Sequence, residues 1–231
     1  MPKVILFDID NTLLSFDEFV KETMKNGFEK FEIGIYEDKM FGVFNQVNTV
    51  LWQKIENGEM NLEELEKVRW NMIFDCLGMN ADGETFERYF RDYLFESAIT
   101  VDGALDLLEY LHGKYILCVA SNGPYLQQVN RLKLSGMLTY FSDLFISEEI
   151  GSSKPSERFF DVCIDRLCFN LKQKIRPHEI MIIGDSLSSD MVGGKRFGMQ
   201  TCFYNPGKKS IEDEMNPDYQ VASLSEIKSI L

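Results

Sequence analysis

Long hydrophobic runs are missing from this chain of 231 residues. The longest span four or five residues, as in Val4 to Phe7, whereas a membrane helix needs about 20. No membrane span is expected. Asp8 also interrupts the N-terminus too early for a secretory signal, so a cytoplasmic location is expected. Paired cysteines are missing too. Cys76, Cys118, Cys163, Cys168 and Cys202 are odd in number and scattered, with no C-x-x-C. They read as reduced, mostly buried thiols, which excludes a disulfide framework and a zinc site. Basic residues are in deficit: 24 Lys and Arg stand against 37 Asp and Glu, a net charge of −13. A surface of that sign repels phosphate backbones, so polymeric nucleic acid and anionic membranes are excluded as partners. Histidine is nearly absent, with only His112 and His178.

What remains is an ordinary globular composition, 45% hydrophobic and 26% charged. Set against roughly 150 residues per domain, the length implies one core domain with a substantial insertion. Lys3 to Phe7, Tyr115 to Ala120 and Glu179 to Ile183 are apolar runs that end in polar or glycine residues, the pattern of buried parallel strands. Asp143 to Ile146, Gln200 to Tyr204 and Tyr219 to Val221 are weaker candidates. Helical patterns alternate with them, as in Ala104, Leu107, Leu108 and Leu111, and Ser223 with Glu226 forms a capping box for a last helix. This alternation predicts an α/β fold, a doubly wound Rossmann-like parallel sheet whose ligands sit at the carboxyl ends of the strands.

Residues 15–95 break the rhythm. They read as four helices, Asp17 to Phe31, Glu37 to Glu56, Leu62 to Leu77 and Gly83 to Phe95, with Asn61 and Glu64 as a helix start. The stretch holds 15 of the 29 aromatics and 17 acidic against 9 basic residues, a composition distinct from the rest. It is read as an all-helical cap domain, inserted into a core made of residues 1–14 and 96–231.

Asp8-Ile9-Asp10-Asn11-Thr12 follows the first strand directly. Two carboxylates there are costly unless a cation or hydrogen bonds hold them. An EF-hand loop fails, since Leu13 stands where glycine is needed. The motif by itself leaves two readings open, a polar turn and a catalytic pair. Gly184-Asp185-Ser186-Leu187-Ser188-Ser189-Asp190 adds two carboxylates after another strand, so Asp8, Asp10, Asp185 and Asp190 can converge on one hard cation, with Mg2+ expected. Ser121-Asn122-Gly123 offers a hydroxyl and backbone N–H groups at a strand end before a helix, where an anion is favoured. Lys154, taken to open the helix that runs to about Phe169, can present a point charge to phosphate, although lysine is more often a solvated surface residue.

In this order the four clusters resemble the haloacid dehalogenase superfamily of phosphohydrolases. Asp8 to Thr12 matches the D-x-D-x-T motif, Ser121 the second motif, Lys154 the third, and Asp185 with Asp190 the fourth. The long gap from Asp8 to Ser121 resembles the class with a helical cap after the first motif. Gly184 to Leu187, Ser189-Asp190, Gly193-Gly194 and Thr201 to Gly207 are similar to the YjjG/YfnB-like 5′-nucleotidase branch, as are Asn48, Leu51-Trp52, Glu56-Asn57-Gly58, Glu63-Glu64-Leu65 and Arg69. Glu157 in place of a second proline and Asp102-Gly103 in place of Pro-Gly depart from it. The resemblance implies Mg2+-dependent hydrolysis of a small phosphorylated metabolite, foremost a nucleoside monophosphate, by a monomer or weak homo-oligomer. It implies that Asp8 attacks phosphorus, that Asp10 moves the protons, and that Asp8, the Asp10 carbonyl and Asp185 hold the metal, with Asp190 acting through water or a neighbouring ligand. Ile9, Thr12, Ser121, Asn122, Gly123 and Lys154 are the phosphate-binding expectation.

Other chemistries fit parts of the same motifs. Gly184 to Leu187 spells the GDSL serine-esterase motif, yet neither histidine follows Ser186, where the base is usually supplied. Asp10 as a proton shuttle favours phosphate chemistry over dehalogenation. A sugar-phosphate or phosphoglycolate phosphatase and a phosphomutase share all four motifs. Phe16, Phe44, Trp52 and Trp70 could stack a base, but aromatics at helical spacing are more often core. Asn48, Trp52 and Arg69 are the substrate-contact candidates of the cap, which is expected to close over the site and exclude water.

Overall fold

Each apolar run forms a strand: β1 Val4–Phe7, β2 Ile116–Ser121, β3 Asp143–Ile146, β4 Ile180–Gly184, β5 Gln200–Tyr204 and β6 Tyr219–Val221. These come from a computed structural model that describes residues 2–208, 210–211 and 216–231. The strands pair in parallel in the order β3-β2-β1-β4-β5-β6. That is a doubly wound α/β sheet, and its order reverses between β1 and β4, where ligands of such sheets sit. The register gathers the motifs. Phe7 of β1 lies opposite Val119 of β2 and Ile183 of β4, so Asp8, Ser121 and Asp185 all leave the sheet at one edge.

Parallel strands need crossovers, and helices cover both faces. Alternate residues of β1 point to opposite sides. Ile5 and Phe7 pack with Leu107, Leu108 and Leu111 of α5 (Ala104–Leu111), while Val4 and Leu6 pack with Phe159, Phe160 and Cys163 of α8 (Glu157–Leu171). Each such buried side chain contributes about 1.5–3 kcal/mol, which is why β1 carries no polar residue. The remaining helices of this part are α6 (Tyr125–Leu134), α7 (Ser147–Ile150) and α9 (Val192–Arg196). Two sequence expectations shift. Helix α8 begins at Glu157, capped by the Ser156 hydroxyl at Phe159 N–H, which leaves Lys154 ahead of the helix. The predicted last helix is a short 3-10 turn, Leu224–Ser229, behind the expected Ser223–Glu226 capping box.

The chain divides into two compact units, Met1–Ser15 with Ala98–Leu231, and Phe16–Ser97. Within the first, the segments that flank the second pair with each other. Leu14 bridges Thr100, Ser15 N–H donates to the Ile99 carbonyl at 2.8 Å, and Val101 N–H donates to that of Leu13 at 2.9 Å.

The second unit consists of α1 (Phe16–Lys30), α2 (Asp38–Glu56), α3 (Leu62–Leu77) and α4 (Gly83–Phe95). Asn61 and Glu64 form the reciprocal capping box of α3, and Asp82 caps α4. Its core is aromatic: the Trp70 and Phe86 rings lie 4.3 Å apart and those of Phe19 and Phe90 5.0 Å. Phe44 and Trp70 are fully buried in it, and Phe16 is half-buried against Phe19, Phe44 and Phe90. Among the described residues no helix is long and apolar enough to cross a membrane.

Candidate active site

The chain turns immediately after β1. Leu13 and Leu14 N–H both donate to the Ile9 carbonyl, at 2.8 and 2.9 Å, and Asn11 takes a left-handed φ of 57°. Asparagine tolerates that region where a β-branched residue would not, which fits its place in the loop. The loop leaves Asp8 buried at the sheet edge and Asp10 half-buried beyond it.

Lys154 binds this edge together. Its ammonium donates to Asp8 Oδ1 at 2.8 Å, to Asp190 Oδ1 at 2.6 Å and to the Ala120 carbonyl at 2.6 Å. An ammonium has three protons, and all three are placed. The residue is 1% exposed, contrary to the solvated fate of most lysines. Burial alone would depress it, but the Asp190 and Asp8 carboxylates outweigh burial and raise it above the ordinary lysine value. Asn122 fixes the backbone of Lys154. The Asn122 amide donates to the Lys154 carbonyl at 2.9 Å, and Lys154 N–H donates to Asn122 Oδ1 at 2.8 Å.

Asp190 stands on a single π-helical turn, Leu187–Met191, and is fully buried. Gly184 makes room for it, since a Cβ there would meet Asp190 Oδ2 at 2.1 Å. Asp190, expected to act on the metal through water or a neighbouring ligand, accepts directly from Lys154. Asp8, Asp185 and Asp190 each offer an oxygen, all within 4.8 Å of one another. Burial pushes the Asp8 carboxyl well above the usual carboxylate range. Lys154 pulls it back, and Asp190 and Asp185 push it up again. One ammonium beside three carboxylates leaves negative charge at a largely buried edge, and a divalent cation added to that ammonium would match it. The all-oxygen donor set fits Mg2+ and disfavours the softer transition metals.

The Asp10 side chain is held by two residues of α6. Arg131 donates to Asp10 Oδ1 at 2.6 Å, and Gln128 Nε2 donates to Asp10 Oδ2 at 2.8 Å and to Ser121 Oγ at 2.9 Å. Gln128 and Arg131 were not legible as site residues. Helix α6 reads Gln127-Gln128-Val129-Asn130-Arg131, an ordinary polar face. The one available signal was their spacing of three, which puts both on one side of the helix that follows Ser121.

The phosphate-binding expectations divide. Ser121, Asn122, Gly123 and Lys154 sit together at the ends of β2 and before α8. The Ile9 side chain and all of Thr12 are fully buried, and the Thr12 hydroxyl has no hydrogen-bond partner among the described residues. Thr12, expected at the phosphate, is thus buried behind the loop. In the helical unit, Asn48 and Trp52 are half-buried. Arg69, the third substrate-contact expectation of this unit, is buried and bonded within it. It donates to Glu87 Oε2 at 3.0 Å and Oε1 at 2.5 Å, and to Asn48 Oδ1 at 3.2 Å. Arg69→Leu is expected to strand Glu87 and cost about 3–5 kcal/mol, and Arg69→Leu with Glu87→Leu to recover most of it. Urea melts of the two variants measure the difference, and equal midpoints would remove the ion pair from the stability of this unit.

The esterase constellation does not assemble. The Ser186 hydroxyl accepts from Ser189 N–H at 3.2 Å at the carboxyl end of β4. His178 lies in the turn Pro177–Glu179 at the other end of that strand, and His112 packs on Tyr140 after α5.

Known proteins resemble this chain in sequence and fold. Residues 2–198 match the haloacid dehalogenase-like hydrolase family. The HAD-hydrolase YfnB of Bacillus subtilis is 32% identical over 99% of this chain and 95% of its own. Its crystal structure, described as bound to magnesium and as revealing interdomain movement, covers 100% of this chain and 98% of its own with a TM-score of 0.89. The pyrimidine 5′-nucleotidase PynA of Streptococcus pneumoniae is 31% identical over 99% of this chain and 94% of its own. The pyrimidine 5′-nucleotidase YjjG of Escherichia coli is 30% identical over 98% and 96%.

Proposed function

Since the chain belongs to the haloacid dehalogenase-like hydrolases and is a phosphohydrolase of that family, we propose that it is a Mg2+-dependent 5′-nucleotidase working through an aspartyl-phosphate on Asp8. The observation that carries this reading is the buried Asp8 at the end of β1, sharing one ammonium with Asp190 and offering an oxygen within 4.8 Å of those of Asp185 and Asp190.

The chemistry follows from these positions. Asp8 attacks the phosphorus, and the ester P–O bond breaks with its electron pair on the leaving oxygen. Asp10, 35% exposed on its side chain, delivers a proton to that oxygen and then takes one from the water that cleaves the acyl phosphate. Ser121, the N–H groups of Asn122 and Gly123, and the Lys154 charge receive the phosphoryl oxygens. Asp8, Asp185 and Asp190 would hold Mg2+, which supplies neutralising charge for those oxygens when bound. Phe16–Ser97 is read as the inserted cap. The nucleotide preference rests on the named activities of PynA and YjjG.

A phosphate-release screen over nucleoside monophosphates, sugar phosphates and phosphoglycolate tests the reading, with Mg2+ and with chelator. Fastest release from a pyrimidine nucleoside 5′-monophosphate, lost with chelator, is the expected result. Preference for a sugar phosphate moves the substrate class. Hydrolysis that ignores chelator and stops with serine-directed reagents overturns the mechanism. A thermal melt adds a second measure. Mg2+ at a hundred times its dissociation constant is expected to add about 2.7 kcal/mol, at about 2–4 °C per kcal/mol for a chain of this size. Identical melting in Mg2+ and in chelator would remove the metal from the site.

A further inference from the structure

Two side chains of α6 close around Asp10 from behind. Gln128 is 0% and Arg131 1% exposed, a rare fate for such polar groups unless partners hold them. Arg131 takes one oxygen of the Asp10 carboxylate, Gln128 takes the other, and the Gln128 carbonyl accepts a second bond from Arg131 at 3.0 Å. Through its bond to Ser121 Oγ, Gln128 also ties Asp10 to the end of β2. Gly123 clears the path, since a Cβ there would meet Gln128 Nε2 at 2.6 Å. Asp10 is thus the end of a fully buried relay, while its own side chain keeps a third of its surface open. A protonated carboxyl retains a lone pair on each oxygen, so the same two donors can hold it before and after proton transfer.

We propose that Gln128 and Arg131 are the positioning residues of the general acid, fixing both oxygens of Asp10 so that its open face meets the leaving oxygen. The inference rests on the function proposed above, in which Asp10 protonates that oxygen. An ion pair that merely anchored α6 would need neither the second donor on the other oxygen nor the link to Ser121. The two roles separate by leaving group. An alkoxide departs slowly without a proton, whereas p-nitrophenolate departs well without one. Loss of acid positioning therefore damages the first reaction selectively.

The experiment measures kcat/KM, which reports the steps through leaving-group departure, on uridine 5′-monophosphate and on p-nitrophenyl phosphate with Mg2+ present. The variants are Arg131→Met, Gln128→Leu, Arg131→Lys and Asp10→Asn, each checked for wild-type secondary structure. Arg131→Met and Gln128→Leu are expected to lose about tenfold or more on the nucleotide and less than about threefold on the aryl ester. Arg131→Lys, which restores one cationic donor, recovers part of the nucleotide loss. If Arg131→Met does not fold, the uncharged Gln128→Leu carries the comparison. Equal losses on both esters, or none, overturn the inference while Asp10→Asn still discriminates between them. Asp10→Asn without that discrimination overturns the acid assignment, and this inference falls with it.

Discussion

Asp8→Asn is expected to abolish turnover, by at least on the order of 10⁴-fold, while the protein folds as before. The amide is nearly isosteric with the carboxylate and keeps an oxygen to accept from Lys154, so the hydrogen bond at 2.8 Å survives. What it loses is the nucleophilic charge. Stability should rise in the absence of metal, because the wild-type carboxyl is raised by burial and by repulsion from Asp190 and Asp185. A carboxyl whose folded value lies above its unfolded one contributes most below the ordinary value near 3.8, and that contribution is lost as pH climbs toward the raised value. Metal-free wild type should therefore lose stability across that window, and Asp8→Asn should lose less. Phosphate release and melting at several pH values measure both effects. Residual turnover near the wild-type rate would end the nucleophile assignment.

Lys154→Met should combine the largest loss of stability with a large loss of rate. Methionine fills similar volume but offers none of the three protons that now reach Asp8, Asp190 and Ala120. Removing one partner of a buried ion pair costs about 3–5 kcal/mol, because the other charge stays dry and unpaired. At about 2–4 °C per kcal/mol the melting point should fall by roughly 6–20 °C. Turnover should fall by on the order of 10²-fold or more, as expected when a fixed charge beside the reacting phosphoryl is removed. Mg2+ should restore a larger share of stability in this variant than it adds to wild type, since the cation then supplies counter-charge to Asp8 and Asp190 that Lys154 no longer does. A melting point within about 1 °C of wild type would show that Lys154 is not the clamp its geometry describes.

The strands and the acidic motifs were legible because their signals are local. Four apolar residues followed by a carboxylate mark β1 and Asp8, and a similar pattern recurs at β4 and Asp185. The start of α3 was legible from its capping residues Asn61 and Glu64. The rest depends on contacts far apart in the chain. Nothing near Lys154 announces that its three acceptors lie 146, 36 and 34 residues away. Arg131 finds Asp10 across 121 residues, and Arg69 finds Glu87 across 18 on a different helix. Asn122 was read through its backbone, and only the fold reveals that its side chain holds Lys154. The burial of Thr12 was not legible from its motif position, because it depends on the tight turn about Asn11.

The pairing of Leu13 to Ser15 with Ile99 to Val101 has a consequence for how such a protein can vary. It brings the two ends of a segment of about 80 residues together within the core's own hydrogen bonding. Loop-closure entropy grows only logarithmically with length, so holding those ends costs the sheet about 2 kcal/mol more than a ten-residue loop would. A change of length between those ends is therefore expected to cost little, about 0.6 kcal/mol for each doubling. Substitutions confined to Phe16–Ser97 are expected to leave the hydrogen bonds among Asp8, Lys154 and Asp190 in place, since all three residues belong to the other unit.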